Sequence, residues 1–279
     1  MKPAPFDFVA ATSLEEAVAA LAEGGPDAKP IAGGQSLVPA LNMRLVRPSL
    51  LVDITRAGLD WIERENGSVR IGATTRQAAL ERSELTHPLV AQALPHVGHF
   101  VTRNRGTVGG SIAHADGSAE LPLCLVALGG TIVGEGPGGR REIRASDFFV
   151  THYLTALAPG ELLVETIWPS PLAGEGYAFA ELALRAGDYA LAMAAVKLRT
   201  EKGVVLEATI AVGAVTDRPT VLEEASSLLV GHEPTDEAAA EAGAAAARAV
   251  DPVGSIHASP AYLRHLTGAL VARAVRSAR

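Results

Sequence analysis

Runs of hydrophobic residues in the N-terminal part of the chain alternate between helical and strand periodicity. Ser13 followed by Glu16 forms a capping box that predicts the start of a helix, and Gly24 and Gly25 predict its end. The pair Asn66-Gly67 between two apolar–polar runs predicts a two-residue β-hairpin turn. Further helices are predicted at residues 75–80 (with Thr75 as cap), 88–94 and 120–128, and further strands at residues 29–32, 50–54, 131–133, 141–144 and 162–168. This mixture predicts an α+β fold with α/β-like parts.

The C-terminal part has a different order of elements. Pro169, Pro171 and Gly174 indicate a boundary. Three strands are predicted after it, at residues 177–184, 190–199 and 204–215, and then three helices at residues 222–230, 236–250 and 260–275, with Thr235 and Ser259 as N-caps of the last two. We therefore expect two domains: residues 1–175, with subdomains of about 1–55 and 56–175, and residues 176–279, a three-stranded antiparallel sheet with three helices.

Composition and charge exclude several classes of protein. The chain has 279 residues, 48% of them hydrophobic, and a formal net charge of −7, so a substantial core is expected. Lys and Arg do not cluster with aromatic residues, and we expect no nucleic-acid partner. The longest apolar run, residues 121–133, is interrupted by glycines and is shorter than the roughly 20 residues that span a bilayer. With no apolar secretory region near Met1, the expected location is cytoplasmic.

The single cysteine, Cys124, limits the redox chemistry of this chain. One thiol cannot form an intramolecular disulfide, nor supply the four thiolates of an ordinary iron–sulfur cluster. Cys124 lies in an apolar run, where a buried, space-filling role is expected.

Two diglycine segments are the strongest candidates for a binding site. The first is Ile31-Ala32-Gly33-Gly34-Gln35-Ser36, and the second begins at Thr107-Val108-Gly109-Gly110-Ser111. Paired glycines permit positive φ angles and leave no Cβ in the way of a ligand, so their amide N–H groups can form an anion-binding concavity. One diglycine alone is more often a tight turn, but two such segments predict a cradle for a ligand with two phosphates, assisted by the hydroxyl of Ser36 and by that of Thr107 or Ser111.

Other motifs carry less weight. Neither diglycine segment has the Gly-Lys-Ser/Thr of a P-loop, and no Gly-x-Ser-x-Gly nucleophile elbow is present. Residues 134–139 contain Gly-x-Gly-x-x-Gly, but polar residues follow instead of an apolar helix, which argues against a Rossmann site. His96, His99 and His114 have no accompanying carboxylates or thiolates at ligand spacing, so no metal site is expected. Arg103 and Arg105 could equally be solvated charges, or could orient a cofactor or a neighbouring chain.

The segments together resemble the FAD-binding medium subunits of the molybdenum hydroxylases, the family that includes carbon monoxide dehydrogenase and xanthine dehydrogenase. Residues 32–37 match the family's Ala-Gly-Gly-x-Ser-Leu, and residues 107–122 match its Thr-hydrophobic-Gly-Gly-Ser-x-Ala-His-Ala-Asp-Pro-x-x-Glu-Leu-Pro closely. Residues 185–190 and 258–264 resemble later segments, so the likeness covers nearly the whole chain. It implies a PCMH-type FAD-binding domain at residues 1–175, followed by the family's C-terminal domain.

The resemblance also implies roles for individual residues. It places the FAD diphosphate between two sets of residues, which are Ala32, Gly33, Gly34, Gln35, Ser36 and Leu37 on one side and Thr107, Val108, Gly109, Gly110 and Ser111 on the other. His114, Asp116 and Glu120 would lie near the cofactor. Leu162 or Leu163, and Tyr189, would lie close to the isoalloxazine ring. It implies no catalytic side chain and no metal in this chain. Gly117, Glu181 and Ala183 depart from the family pattern: Gly117 replaces a proline, which predicts a more mobile loop, and Glu181 and Ala183 lie where relatives often carry lysine.

The function that follows from the resemblance is electron transfer. A large partner subunit would hold the molybdenum cofactor, a small partner subunit would hold two [2Fe-2S] clusters, and FAD in this chain would pass electrons to an external acceptor. A dimer of heterotrimers is the expected assembly. Two alternatives remain open at this point: a free-standing FAD-dependent oxidoreductase, and a non-catalytic nucleotide-binding scaffold.

Overall fold

The computed structural model describes residues 1–279, and its strands form four sheets. The strands are β1 (Asp7–Ala10), β2 (Ala28–Ile31), β3 (Leu50–Asp53), β4 (Ile62–Glu65), β5 (Ser68–Gly72), β6 (Thr131–Gly136), β7 (Gly139–Arg144), β8 (Phe149–Thr151), β9 (Leu154–Thr155), β10 (Leu162–Pro169), β11 (Glu175–Ala183), β12 (Ala190–Glu201), β13 (Val204–Gly213) and β14 (Thr220–Val221).

Eleven α-helices and two short 3-10 helices complete the fold. The α-helices are α1 (Leu14–Gly24), α2 (Leu37–Asn42), α3 (Gln77–Glu81), α4 (Pro88–Ala93), α5 (Phe100–Arg103), α6 (Val108–His114), α7 (Glu120–Leu128), α8 (Ala145–Phe148), α9 (Glu223–Ser227), α10 (Asp236–Ala249) and α11 (Pro260–Ser277); the 3-10 helices are Gly25–Asp27 and Leu94–His96. The α+β class expected from the sequence is confirmed.

The first sheet is parallel, in the order β1-β3-β2. Helix α1 connects β1 to β2, and it begins where the sequence predicts, with Ser13 Oγ accepting a hydrogen bond from Glu16 N at 3.1 Å. The reciprocal bond differs from an ordinary capping box, because the Glu16 carboxylate accepts from Thr12 N at 2.7 Å instead of from Ser13. Gly25, with φ +68°, ends the helix as predicted.

The second sheet has five antiparallel strands in the order β4-β5-β10-β6-β7. Asn66 and Gly67 form the predicted two-residue turn between β4 and β5, with φ angles of 49° and 76°. The glycine-rich residues 134–139 belong to the β6–β7 hairpin, not to a strand–helix turn. The sequence predicts Thr75 as the cap of α3, and this prediction is wrong, because Arg76 occupies the N-cap position. The Thr75 hydroxyl instead donates to Trp61 O and accepts from Trp61 N.

The third sheet is antiparallel, in the order β11-β12-β13-β14. Three strands were expected, and the fourth, β14, has only two residues, too few for a periodic signal. Helices α9, α10 and α11 follow, with Thr235 and Ser259 as N-caps as predicted.

Two apolar clusters stabilise the molecule. The first lies around α7 and the first two sheets, and all residues of α7 are buried, Cys124 among them. The second lies between the third sheet and helices α9–α11. Helix α7 also packs against β12 and β13, so it connects the glycine segments to the C-terminal part of the chain.

None of the helices combines the length and apolar character that crossing a membrane requires.

Candidate functional site

The first glycine segment, residues 32–37, connects β2 to α2. Gly34 has φ +70°, a left-handed conformation that favours glycine. The N–H groups of Gly33, Gly34, Gln35 and Ser36 donate to no acceptor within the chain, and the Ser36 hydroxyl makes no capping bond to α2. Successive free donors around a left-handed residue are typical of backbone turns that bind anions. This segment therefore has the donors expected from the sequence.

The second glycine segment is the first turn of a helix, not a loop. Thr107 caps α6, and its Oγ1 accepts from Gly110 N at 3.1 Å. Val108 N donates to Thr75 O, and Gly109 N donates to Ala73 O at 3.0 Å. The expectation that these amides are free for an anion is therefore wrong, because each already has a partner within the chain.

Close approach, rather than positive φ, explains the glycines of the second segment. Neither Gly109 nor Gly110 has a positive φ. A Cβ on Gly109 would lie 2.6 Å from Ala73 Cα, and one on Gly110 would lie 2.5 Å from Thr107 Oγ1. These glycines therefore allow the turn to pack closely against Ala73 and the Thr107 hydroxyl, and the chain provides no hydrogen-bond partner for the Ser111 hydroxyl.

The two glycine segments face one another. Gly33 is buried, and a Cβ on it would overlap the carbonyl oxygen of Arg105 and lie 2.9 Å from Gly106 Cα. The Cβ position of Gly110 lies 3.9 Å from Ala32 Cβ. Segments about 75 residues apart in sequence thus meet at one place, so the first segment, with its free amides, lies beside the first turn of α6.

Asp116 lies just beyond the C-terminal end of α6. Its Oδ1 accepts from Ser118 N at 2.9 Å, and its Oδ2 accepts from the hydroxyl of Tyr153 at 3.3 Å. The ring of His114 lies 4.9 Å from that of Tyr153, and burial lowers the pKa of His114 although Asp116 opposes the shift. Imidazole, carboxylate and phenol therefore form one group next to the second glycine segment.

Glu120 and Tyr189 lie near this group. Glu120 is the first residue of α7 and is 8% exposed, and burial raises its pKa to about 7. Tyr189 is 71% exposed, yet burial of its hydroxyl, followed by the charges of Asp116 and Glu120, raises its pKa. The phenol of Tyr189 therefore lies within the field of both carboxylates.

The two leucines expected at the flavin ring are buried within the second sheet. Leu162 and Leu163 are 3% and 2% exposed in β10, where they pair with Glu135 and Gly134 of β6. Their contact with a flavin ring stays a prediction, and it would require a surface that these side chains do not present here.

The arginines before the second glycine segment differ in role. Arg103 binds both carboxylate oxygens of Glu81 and donates to Val97 O and Gly98 O, so it fixes the local fold. Arg105 is exposed, and it meets the first glycine segment through its backbone carbonyl.

Two of the three positions that depart from the family pattern, Gly117 and Glu181, lie where the N-terminal and C-terminal parts of the chain meet. Gly117 is buried, its carbonyl accepts from Ala214 N at 2.7 Å, and a Cβ on it would lie 2.7 Å from His152 Cε1. The side chain of Glu181 is 3% exposed, and burial, then the charge of Glu120, raises its pKa to about 8. A carboxyl that is largely protonated at pH 7 adds little negative charge to the site.

Sequence reasoning missed Tyr153. It lies between β8 and β9 with φ +59°, is 63% exposed, and its N–H donates to Ala115 O at 2.9 Å. No local pattern marks this tyrosine, because its partners Ala115 and Asp116 lie almost 40 residues earlier. Only the tertiary fold brings them together.

Comparison with known proteins places the chain in a family. Residues 4–171 match the FAD binding domain in molybdopterin dehydrogenase, and residues 177–278 match the CO dehydrogenase flavoprotein C-terminal domain. The chain is 41% identical to the 6-hydroxypseudooxynicotine dehydrogenase complex subunit alpha of Paenarthrobacter nicotinovorans, over 100% of this chain and 96% of that protein.

Solved structures give the same result. The carbon monoxide dehydrogenase of Hydrogenophaga pseudoflava that lacks the Mo-pyranopterin moiety matches with a TM-score of 0.97 and 37% identity, covering 100% of this chain and 98% of that chain. Quinoline 2-oxidoreductase from Pseudomonas putida matches with a TM-score of 0.95 and 39% identity, covering 100% and 98%. The chain belongs to the FAD-binding medium subunits of the molybdenum hydroxylases, and the resemblance found in the sequence is confirmed.

Proposed function

We propose that this subunit holds the FAD diphosphate between residues 32–37 and 107–111, and that its FAD passes electrons from partner chains to an external acceptor. The observation that carries the proposal is the meeting of Gly33 with Arg105 and Gly106, which sets four free amides beside the first turn of α6. A hydrogen bond to a charged oxygen contributes roughly 1.5–3 kcal/mol, so a few such donors can hold a diphosphate without a lysine.

The two segments have different tasks in this proposal. The amides of Gly33, Gly34, Gln35 and Ser36 donate to phosphate oxygens. Gly109 and Gly110 let α6 begin in close contact with Ala73 and the Thr107 hydroxyl. We assign the hydroxyls of Thr107 and Ser111 to the ligand on that side. Helix α6 is fixed before the ligand arrives, because Thr75 O, Ala73 O and Thr107 Oγ1 hold its first amides.

The side chains after α6 shape the surroundings of the flavin ring. FAD supplies the one- and two-electron chemistry when it is bound. Tyr153 holds the Asp116 carboxylate through its hydroxyl, so that Asp116 is fixed beside His114. Tyr189 is exposed enough to contact a planar ring, and we infer that Glu120 meets a hydroxyl of the cofactor. Contacts of Leu37, Leu162 and Leu163 with the cofactor are part of the same proposal.

Partner chains are required for the electron supply. The sole cysteine, Cys124, is fully buried and burial raises its pKa, so this chain cannot hold an iron–sulfur cluster. We infer a small partner with two [2Fe-2S] clusters, a large partner with the molybdenum cofactor and the substrate site, and a dimer of such heterotrimers. A cytoplasmic location and a domain boundary near residue 175 belong to the same proposal; the second apolar cluster, whose buried residues all lie between Ala178 and Ala278, supports the boundary.

Purification of the chain with its co-expressed partners tests the proposal. We expect a yellow complex with one FAD per copy of this chain, molybdenum and iron in the partners, and flavin bleaching when the organic substrate is added. A colourless chain that rejects added FAD would remove the proposal. Flavin reduction by an organic substrate without partners would favour a free-standing oxidoreductase, and a bound but redox-inert nucleotide would favour a scaffold.

A further inference from the structure

Arg76 lies at the contact that joins the two glycine segments. Its Nη1 donates a hydrogen bond to the carbonyl oxygen of Arg105, which is the atom against which Gly33 packs. The backbone of Arg76 also pairs with that of Thr107 in an isolated antiparallel bridge. The guanidinium and the Gly33 backbone therefore contact the same oxygen atom, and a cationic side chain is held beside both segments.

The contact is fixed from the side of α3 as well. Gln77, the first residue of α3, donates its backbone N–H to Gly106 O at 2.9 Å. Its side chain is so close to Gly106 that a Cβ there would overlap Gln77 Oε1. Arg76 and Gln77 thus hold the backbone of Arg105 and Gly106 on one side, while Gly33 lies against it on another.

The charge of Arg76 has no carboxylate partner. None of the salt bridges in the structure includes Arg76 or Arg105, whereas Arg103 is paired with Glu81. The side chain of Arg76 is half-buried, and Arg105 O is the one acceptor that it has. A guanidinium carries several N–H donors in a planar fork and keeps its charge, so Arg76 retains the capacity to bind an anion.

The remaining groups assigned to the phosphates supply no positive charge. They are backbone amides and the hydroxyls of Thr107 and Ser111. Burial lowers the pKa of His114, so its imidazole is mostly neutral at pH 7, and the carboxylate of Asp116 next to it repels an anion. A diphosphate is negatively charged at this pH. An arginine beside the free amides therefore provides the charge that the rest of the site lacks.

We propose that Arg76 is a further ligand of the FAD diphosphate, with its guanidinium donating to a phosphate oxygen beside the first glycine segment. The inference rests on the proposed function and deepens it, because the glycine segments alone offer neutral donors. Hydrogen bonds between guanidinium and phosphate are charge-assisted and stronger than those from an amide. Part of the FAD affinity should therefore depend on Arg76 and weaken with salt. Riboflavin has no phosphate and should not depend on Arg76.

Fluorescence titration of the flavin-free full chain with FAD and with riboflavin, at low and high salt, tests this assignment. We expect Arg76→Gln to bind FAD about 10–100-fold more weakly at low salt, with a shallower salt dependence and unchanged riboflavin affinity. Arg76→Lys keeps the charge and should keep the salt dependence. Arg144→Gln is the matched control, because Arg144 is also an N-cap residue without a side-chain capping bond or a salt bridge; it should behave as the wild type.

The outcomes separate a ligand from a structural residue. An equal loss of FAD and riboflavin affinity in Arg76→Gln would show that Arg76 only positions Arg105. Unchanged FAD affinity would show that the guanidinium does not reach a phosphate. Either result overturns this inference alone. If denaturation shows that Arg76→Gln is unfolded, Arg76→Lys decides, and loss of its salt dependence overturns the inference.

Inorganic pyrophosphate, which lacks the flavin ring, distinguishes this inference from the proposed function. It should compete with FAD in the wild type and compete less well in Arg76→Gln. Equal competition in the two proteins would again count against Arg76 as a phosphate ligand. A wild type that binds neither FAD nor pyrophosphate would overturn the proposed function itself.

Discussion

The backbone of Gly33 lies directly against the carbonyl group of Arg105, leaving no space for a Cβ. This contact joins the two glycine segments, which the sequence separates by about 75 residues. It explains why glycine is needed at residue 33 although its φ is not positive, and it fixes the distance between the free amides of one segment and the helix turn of the other.

Gly33→Ala should weaken FAD binding and the fold together. The added methyl group must push Arg105 and Gly106 away, which costs about 1–3 kcal/mol as overpacking does elsewhere and opens the proposed cradle. FAD titration and chemical denaturation measure both effects. Gly138→Ala is the matched control, because its Cβ meets nothing within 4 Å and its φ is not positive. A Gly33→Ala protein that binds FAD as tightly as this control, and is equally stable, would contradict the account.

Thr107→Val should separate helix capping from ligand binding. It removes the acceptor for Gly110 N, so it should cost about 1 kcal/mol in the free energy of unfolding and lower FAD affinity, since a hydroxyl and a fixed helix turn are lost. Thr235→Val removes an equivalent cap from α10, where Thr235 Oγ1 accepts from Ala238 N at 3.1 Å. It should cost a similar amount of stability with no effect on FAD. Equal flavin effects in the two variants would show that only global stability matters.

Burial of the Glu181 carboxyl should make the protein less stable as the pH rises. Glu181 has a folded pKa of about 8, above its ordinary value of 4.5, so the folded state holds a proton that the unfolded chain releases. The stabilising contribution is complete below pH 4.5 and is lost as the pH rises towards 8. Urea denaturation at pH 5, 7 and 9 should show this decline in the wild type and a smaller one in Glu181→Gln. Identical profiles would mean that Glu181 is ionised in the folded protein.

Glu165 should contribute to stability without affecting the flavin. Its carboxylate is 2% exposed, and it binds both Arg70, at 2.6 Å, and Arg140. Arg70→Met leaves this buried charge with one partner and should cost about 1–3 kcal/mol. Arg199→Met breaks the exposed pair with Glu207 and should cost less stability than Arg70→Met, because solvent screens exposed pairs. Denaturation curves should show the loss of stability in Arg70→Met, while FAD affinity stays unchanged. A larger loss of stability in Arg199→Met than in Arg70→Met would contradict the argument from burial.

Local signals in the sequence predicted much of the fold. The Asn66-Gly67 turn, the caps Ser13, Thr235 and Ser259, and the end of α1 at Gly25 all depend on residues within a few positions of each other. Such signals act through the backbone of the same turn, so that contacts with distant parts of the chain do not change them.

Features that depend on distant residues were not predictable. Thr75 has a cap-forming side chain, but its hydroxyl is hydrogen-bonded to the backbone of Trp61. The amides of Gly109 and Val108 looked available from the sequence, yet Ala73 O and Thr75 O accept from them. The burial of Glu181 likewise follows from tertiary packing, which brings His96 Nδ1 to 3.9 Å from its carboxylate and which no periodicity in either segment reveals.

Comparison of FAD with FMN and riboflavin as ligands of the flavin-free chain tests the central claim most directly. If residues 32–37 and 107–111 hold a diphosphate, the donors to its charged oxygens should make FAD bind roughly 10–100-fold more tightly than FMN, and riboflavin should bind most weakly. Fluorescence titration measures all three affinities in one buffer. Equal affinity for FAD, FMN and riboflavin would contradict the account, since recognition would then depend on the ring alone.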